Sequence, residues 1–421
     1  MAFVGRNRWS RRTSFWFVVA AQVLLFAGSN FPTPLFPIYE DRYGFGSGTV
    51  TLLFGVYVLV LVPTLVLLGP VADRFGRRPL LVAGIALTVL SSVAFALARG
   101  VAWLFAGEII YGVGAGMVMA CVAAAIRELH PAQDGAGAAL AGSVAMAAGL
   151  TLGPLVSGGL ASATPWPTVS PYVVDIVLAS ILAGLLARIP EPRSETSGSV
   201  ARLRALHVPG GIRRGPFVSA AAAGAASFMV VGWVFGLSPS YLHEELHVHI
   251  TEPVVAGLFA AVVVAMNGVA QLAFRRFRSP GSMRIALAGV VVGMGVMASS
   301  TLVDSLLVAV AGALIAGLGT GVAQMNAMAT IQHVAPAHSR AAVTSAYFTA
   351  CYLGLSVPVV VAGVAADRFG LGAVTYAFFA ALTAFVGVLL VWARHVADPA
   401  TGAEAELIEL SRDADRLRRI A

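Results

Sequence analysis

Long apolar runs separated by short polar stretches make up almost the whole sequence. About 20 consecutive apolar residues are enough for a helix to cross the hydrocarbon core of a bilayer. The runs of this length are predicted at residues 14–38, 49–71, 79–98, 101–126, 136–162, 168–188, 216–240, 253–274, 282–303, 306–331, 340–366 and 372–394. The pattern predicts an all-α polytopic membrane protein with twelve transmembrane helices.

Composition and charge agree with this prediction. The 421 residues are 58% hydrophobic and 11% charged, whereas soluble proteins carry about 25% charged residues. If the spans alternate from a cytoplasmic start, only Arg42, Arg99 and Arg368 fall in outward loops, and every other arginine lies on the inner side. Positive charge marks the cytoplasmic side of a membrane protein. We therefore expect both termini in the cytoplasm, a bacterial cytoplasmic membrane as the location, and no binding of nucleic acid.

The segment between the sixth and seventh spans divides the chain. Residues 189–215 are rich in Ser, Pro, Gly and Arg, as a cytoplasmic linker would be. We predict an N-terminal six-helix bundle at 1–188, a C-terminal six-helix bundle at 216–394, and a cytoplasmic tail at 395–421 that forms a short amphipathic helix.

Residues of the first half recur in the second half at a nearly constant spacing. The offset is 205 residues for the glycines and for Pro131, and 202 for Pro37 and Tyr39 at the ends of the first and seventh spans. The recurring pairs are Gly112/Gly317, Gly114/Gly319, Gly116/Gly321, Gly149/Gly354, Pro131/Pro336, Pro37/Pro239 and Tyr39/Tyr241. Two pseudo-symmetric halves in parallel place a substrate site between them near mid-membrane.

The loop after the second span, GPVADRFGRRP, combines charges with turn residues. Asp73 ends a helix whose dipole disfavours an anion, so it needs cations or another helix N-terminus nearby. Gly76 allows the positive φ of a tight reversal, and Pro79 can begin the next helix. These features predict a tight, charged cytoplasmic hinge. The letters DRFG recur at Asp367, but the topology places that copy outside, where it cannot serve as the cytoplasmic hinge.

This loop resembles the motif between helices 2 and 3 of the major facilitator superfamily. The matching residues are Gly69, Asp73, Arg74, Gly76, Arg77 and Arg78. The resemblance implies a gating loop in which Asp73 contacts the N-terminus of span eleven when the cytoplasmic side is closed. Arg127, at the inner end of span four, is the expected partner of the loop.

Glu108 is the most informative single residue of the sequence. It lies roughly 10 Å deep in the fourth span at 1.5 Å per residue, on one helix face with Gly112 and Gly116. The run EIIYGVGAG resembles the superfamily motif of helix four, but Glu108 stands where that motif has arginine. Glu108 is expected to carry a proton, to recognise a cationic or hydroxylated substrate, or to be a neutralised structural carboxyl. Asp175 in the sixth span is the second candidate, although that span is peripheral in the family.

The fifth span contains GLTLGPLVSGG, in which glycines and a proline predict a bent, closely packed helix. Gly149, Gly153, Pro154 and Gly158 resemble the antiporter signature of the superfamily, and Ser157 replaces one of its glycines. An ordinary proline kink is the alternative. The resemblance favours export over uptake.

Polar side chains in the remaining spans are few, and they are the candidates for a substrate cavity. The family fold implies that spans 1, 4, 7 and 10 line this cavity most directly. The candidates are Asn30, Trp233, Asn267, Gln271, Gln324, Asn326 and Tyr347. Each of them can equally be an interhelical hydrogen-bonding or packing residue.

The sequence contains no motif typical of catalysis, and we expect no enzyme activity and no cofactor. Cys121 and Cys351 lie in apolar spans, and the His-rich outward loop that begins at His243 is expected to be a solvated loop, so no metal site is predicted.

The sequence therefore predicts a secondary active transporter. We expect a monomer in the lipid bilayer that exports a small amphiphilic molecule or drug by alternating access, with the proton gradient as its energy source. Proton-coupled uptake or facilitated diffusion of a nutrient is the alternative. A non-transporting receptor or scaffold is a more remote one.

Overall fold

The structure is a computed structural model that describes residues 9–192, 214–248, 253–274, 280–335 and 340–396. Below, the N-terminal half means the first of these ranges and the C-terminal half means the other four. Most of the predicted linker, the predicted tail helix and the repeat at Pro336 lie outside the described residues.

The described residues form α-helices and one short 3-10 turn, Thr33–Leu35. The helices are α1 (Arg11–Gly28), α2 (Phe36–Tyr43), α3 (Ser47–Phe75), α4 (Arg77–Ala96), α5 (Val101–Leu129), α6 (Gly135–Ala163), α7 (Ser170–Leu186), α8 (Arg214–Gly236), α9 (Ser238–Glu244), α10 (Pro253–Ala273), α11 (Pro280–Ser299), α12 (Leu306–Val334), α13 (Arg340–Phe369) and α14 (Leu371–Val396).

Within the described part of the chain, eleven helical segments are long and apolar enough to cross a membrane. The shorter apolar helix α7, of 17 residues, occupies the position of the predicted sixth span. The prediction of an all-α membrane protein is confirmed. The predicted spans differ from the observed helices by a few residues at their ends, because helices continue into polar flanks that hydropathy does not register.

The first and seventh spans are both interrupted at their outer ends. α1 ends at Gly28 and the chain continues through the turn Thr33–Leu35 into α2. α8 ends at Gly236 and is followed directly by α9. Prolines stand in the first turns of these short helices, at Pro37 and Pro239. A proline is tolerated there because the first turn needs no N–H donor, but it prevents an unbroken helix through that point.

The repeated glycines occupy equivalent packing positions in the two halves. In each half, the first glycine of the triplet faces a backbone carbonyl of one neighbouring helix, and the second faces a carbonyl of another. These contacts are Gly112 with Tyr57 of α3, Gly114 with Gly84 of α4, Gly317 with Val263 of α10, and Gly319 with Ala286 of α11. A Cβ at any of them would lie 2.5–2.9 Å from the facing oxygen. The glycines therefore allow the close helix packing that is typical of membrane bundles.

Buried apolar side chains form separate clusters in the two halves. One cluster collects residues between Ala220 and Leu389, and two others collect residues between Phe15 and Ile189. The halves meet along two antiparallel helix pairs, α3 with α13 and α6 with α10.

Candidate functional site

Glu108 lies inside the N-terminal half, on the face of α5 that packs against α3. Only 7% of the residue is exposed. Gly112 and Gly116, one and two turns further along the same face, touch Tyr57 and Thr64 of α3. Among the described residues, Glu108 makes no hydrogen bond and no ion pair. A carboxyl group in this position has no cation among the described residues to compensate a negative charge.

Four tyrosines surround Glu108 at distances that allow electrostatic interaction. They come from α2, α3, α5 and α7, and they are Tyr39, Tyr57, Tyr111 and Tyr172. The hydroxyl groups of Tyr39 and Tyr172 are 3.1 Å apart and hydrogen-bonded. Glu108 therefore has several tyrosines in its electrostatic surroundings.

Asp175 on α7 is 1% exposed and belongs to the same polar interior. Its Oδ2 accepts a hydrogen bond of 2.6 Å from the Ser92 hydroxyl of α4. The Tyr111 hydroxyl, which donates to the Leu25 carbonyl of α1 at 2.6 Å, lies beside the other carboxylate oxygen at the Gly28 backbone. Asp175 interacts electrostatically with Tyr111 and with Tyr172, both of which also interact with Glu108.

The C-terminal half contains a network of amide side chains between α10 and α12. The Gln271 amide donates to Asn267 Oδ1 at 2.7 Å and to Gln324 Oε1 at 3.0 Å. The Asn267 amide in turn donates to the Thr320 hydroxyl at 3.1 Å. Three of the predicted cavity residues are thus brought together, with Gln271 half-buried.

The other predicted cavity residues lie apart from this network. Asn326 faces α11 and accepts from the Ser282 hydroxyl at 3.2 Å. Asn30, in the turn after α1, donates to the Phe26 carbonyl of that helix at 3.0 Å. Trp233 is fully buried between Tyr241 and Phe379, and Tyr347 is 1% exposed. The structure places Trp233 and Tyr347 in the core of the C-terminal half.

Tyr352 of α13 contacts residues of both halves. Its hydroxyl lies 3.8 Å from the Met119 sulfur of α5, and its ring packs against Phe228 of α8 at 5.9 Å between centroids. It also interacts electrostatically with Tyr57. This half-buried tyrosine connects the surroundings of Glu108 to the C-terminal half.

The fifth-span motif on α6 lies between α1 and α10. Gly149 and Gly153 pack against backbone carbonyls of α1, and Gly158 packs against the Pro253 carbonyl of α10. Pro154 lies within the helix, and its carbonyl contacts Gly257 of α10. The Ser157 hydroxyl, which takes the place of a motif glycine, donates to the Phe31 carbonyl at 2.6 Å. It thereby satisfies an acceptor at the interrupted end of the first span.

The loop between α3 and α4 is held by two acids that the sequence analysis did not select. Glu191 Oε1 accepts from the backbone N–H groups of Arg77 and Arg78, at 2.6 and 3.1 Å. The Arg77 side chain is buried and forms an ion pair with Glu128 at the end of α5. Gly76 has φ +97°, as the tight reversal requires. A carboxylate at the first N–H groups of α4 is favoured by the helix dipole.

The remaining loop residues differ in how far the structure describes them. Arg127 is exposed, and the neighbouring Glu128 makes the contact with the loop instead. Arg74 is exposed beside the Phe75 ring, and Gly69 has open space where a Cβ would lie. The side chain of Asp73 lies outside the described residues, so the gate role of Asp73 and Arg127 stays a prediction.

At the end of the bundle opposite this loop, hydrogen bonds join the two halves directly. Glu40 Oε2 on α2 accepts from the Ser240 hydroxyl on α9 at 2.7 Å. Asp367 Oδ1 at the end of α13 accepts from the Gly48 N–H of α3 at 3.0 Å. A cleft of about 390 Å³ beside these contacts is lined by residues that include Glu244 and Asp367. Burial, and next the nearby charge of Glu245, raise the pKa of Glu244 above its ordinary value.

The described residues contain no group of three or more His, Cys, Asp and Glu side chains that could hold a metal ion. His243 on α9 instead bonds through Nδ1 to the Val248 carbonyl at 3.0 Å. Cys121 and Cys351 are both buried and free.

Sequence reasoning missed Tyr111, Ser92 and Glu128 as site residues. Tyr111 follows Glu108 by three residues and so shares its helix face, which is a signal that spacing alone provides. Ser92 gives no such signal, because its partner Asp175 comes from another span.

The structure contains two similar sets of packed apolar helices, with acids buried in the first set and amides in the second. This arrangement defines a polytopic helical membrane protein with an internal repeat. The chain belongs to the Major Facilitator Superfamily, a family of transporters, because the model of that family matches residues 18–359.

Relatives in this family include proteins named for drug export. The chain is 31% identical over 245 residues to the multidrug transporter MdfA of Yersinia pestis bv. Antiqua (strain Angola), a match that covers 57% of this chain and 59% of that protein. It is 31% identical over 183 residues to the multidrug efflux pump LfrA of Mycolicibacterium smegmatis, which covers 43% of this chain and 36% of the pump. The matches thus span 59% or less of the length of these two relatives.

Solved structures of other transporters have the same fold. A bacterial homologue of the human lysosomal transporter Spinster, in an inward-facing and occupied conformation, superimposes with a TM-score of 0.72 and 15% identity over 92% of this chain and 98% of that one. A D-xylose-proton symporter gives a TM-score of 0.72 and 16% identity over 91% and 97%. At these identities the likeness shows the fold alone.

Proposed function

We propose that this chain exports a small amphiphilic molecule in exchange for inward-moving protons. The observation that carries the proposal is the environment of Glu108: the carboxyl group is buried within a membrane span and makes no hydrogen bond or ion pair among the described residues. A buried acid without a hydrogen-bond or ion-pair partner in a membrane bundle indicates a functional group, because a purely structural acid needs partners. Glu108 can take up a proton or a cationic substrate group and release it when the surroundings change.

Two further observations support export of an amphiphilic compound. The relatives at 31% identity are named as a multidrug transporter and a multidrug efflux pump. The α6 motif resembles the antiporter signature, and its glycines bring α6 against α1 and α10. In this proposal the aromatic groups around Glu108 and Tyr352 contact the apolar part of the substrate, and the amides of Gln271 and Gln324 contact its polar part.

The proposal includes a cellular setting. The chain acts as a monomer in a bacterial cytoplasmic membrane, with both termini in the cytoplasm and the proton gradient as its energy source. The inward bias of the arginines supports this orientation.

The test is proton movement in proteoliposomes with an imposed pH gradient. The panel contains lipophilic cations, headed by tetraphenylphosphonium, and neutral amphiphiles. We expect compound-dependent collapse of the gradient with the wild type, its loss in Glu108→Gln, and its partial return in Glu108→Asp, which keeps the acid. Since Glu108 has no described partner to lose, both variants should fold.

The other outcomes separate the alternatives. Transport without proton movement, equal in wild type and Glu108→Gln, would make the protein a facilitator and Glu108 a structural residue. Compound and protons moving in the same direction would indicate proton-coupled uptake.

A further inference from the structure

The segment Asp-Arg-Phe-Gly occurs twice, at Asp73 and at Asp367, and each copy closes a long helix. The helices α3 and α13 contain 29 and 30 residues. In both copies the glycine that follows has a positive φ, +97° at Gly76 and +82° at Gly370. The two segments therefore share a local structure: an aspartate in the last turn of a helix, followed by a reversal through a left-handed glycine.

The two helices that carry these segments are antiparallel neighbours from opposite halves. Gly48 of α3 packs against Val364, and Gly55 packs against Val360. The contacting residue numbers rise along α3 and fall along α13. The end of each helix therefore lies level with the beginning of the other. In this register Asp367 stands at the N-terminus of α3, and Asp73 stands level with the first turn of α13.

The structure shows the outer of these two contacts. Asp367 Oδ1 accepts from the Gly48 N–H at 3.0 Å. Gly46 and Gly48 leave room for the carboxylate, because a Cβ on either would collide with it. The first N–H groups of a helix lack intrahelical partners and carry the positive end of its dipole, so an anion is favoured there. Asp367 is thus a helix cap supplied by the other half of the molecule.

We propose that Asp367 is an outer lock that opposes the cytoplasmic loop of Asp73: it holds the outer ends of the two halves together by capping α3, and it releases when the protein opens outward. The bond between Glu40 and Ser240 joins the halves at the same end and strengthens the contact. Asp367 acts as a positioning residue, since it sets the balance between conformations without touching substrate. The inference goes beyond the proposed export, because it holds for either direction of transport and for any substrate.

The experiment measures the conformational balance without a substrate. Spin labels at Arg99→Cys and Leu302→Cys report the separation of the halves, because both positions are exposed in outer loops of opposite halves. The buried Cys121 and Cys351 are replaced by serine in the background. Pulsed electron paramagnetic resonance spectroscopy of the full chain in lipid nanodiscs then gives the distance distribution between the labels.

We expect Asp367→Ala to raise the fraction of long distances about two- to fivefold, the range set by one charge at an exposed helix end. Gly48→Ala should shift the distribution in the same direction, because its Cβ fills the space of the carboxylate from the other half. Asp41→Ala is the control: Asp41 is an exposed acid of the same outer end without a described contact to the other half.

Two results would overturn the inference. One is a distance distribution equal to that of the wild type in both Asp367→Ala and Gly48→Ala. The other is an equal shift in Asp41→Ala, which would make the effect one of general surface charge. If Asp367→Ala does not fold, Gly48→Ala tests the lock alone. A failure of proton-coupled export leaves this readout unchanged, so the two proposals are tested separately.

Discussion

Two buried acids of the N-terminal half share two tyrosine neighbours, Tyr111 and Tyr172, but differ in their hydrogen bonding. Asp175 accepts a short bond from Ser92, whereas Glu108 makes no bond among the described residues. A buried polar group that loses its only partner costs more than a bond contributes, because its desolvation is no longer offset. The two positions should therefore respond differently to removal of a neighbour.

Ser92→Ala should lower the free energy of unfolding by about 1–3 kcal/mol, because it leaves Asp175 without its donor. The measurement is thermal unfolding of the detergent-solubilised protein followed by tryptophan fluorescence. Ser219→Ala is the matched control, since the Ser219 hydroxyl is also buried but has no hydrogen-bond partner among the described residues. A melting temperature as low in the control as in Ser92→Ala would contradict the assigned role of the Ser92 bond.

At this scale the sequence predicts some site residues and not others. The depth and helix face of Glu108 follow from hydropathy and spacing, and its burial agrees with them. Glu128 was missed, and Arg127 was selected instead. Consecutive side chains of a helix point about 100° apart, so only one of the two can meet Arg77, and that residue is Glu128. Trp233 is enclosed by Tyr241 and Phe379, and this follows from tertiary packing that spacing does not register.

Among the elements, α6 has glycines in contrasting surroundings. Gly153 faces the Ala27 backbone of α1 so closely that a Cβ would overlap it, whereas Gly159 has open space around it. Both positions lie within one helix, and the same substitution therefore has opposite expected effects.

Gly153→Ala should lower the free energy of unfolding by about 1–3 kcal/mol, since backbone must move to admit the methyl group. Gly159→Ala should raise it by up to about 1 kcal/mol, because alanine favours the helix and meets no atom. Urea unfolding of both variants in the same detergent gives the comparison. Equal stability of the two variants would mean that α6 does not pack against α1 as closely as described.

The elements themselves were predictable because a membrane span needs a long apolar run and little else. Prolines explain the interruption of the first span, because Pro37 stands in the first turn of α2, and Pro239 has the equivalent place in α9. What hydropathy cannot provide is the partner of each helix. The role of Asp367 at the start of α3 depends on how the two halves meet, and no local pattern in the sequence contains that information.

In the whole molecule, the Asp73 loop and the Asp367 contact lie at opposite ends of one antiparallel helix pair. Asp73→Asn should lower the transport rate while leaving membrane insertion and the melting temperature unchanged, since the loop backbone is held independently by Glu191. The measurement is initial uptake of a transported compound into inverted vesicles, normalised to the amount of folded protein. Transport at the wild-type rate would rule out the gate role of Asp73.

The eight-residue helix α2 connects the buried acids to the outer end of the molecule. Tyr39 bonds to Tyr172 beside Glu108, and the next residue, Glu40, bonds to Ser240 in the other half. A movement of α2 that breaks one bond therefore disturbs the other. Such coupling is reciprocal by thermodynamic necessity. If the acids bind protons with different affinities in the two conformations, protonation shifts the equilibrium between these conformations by the same factor.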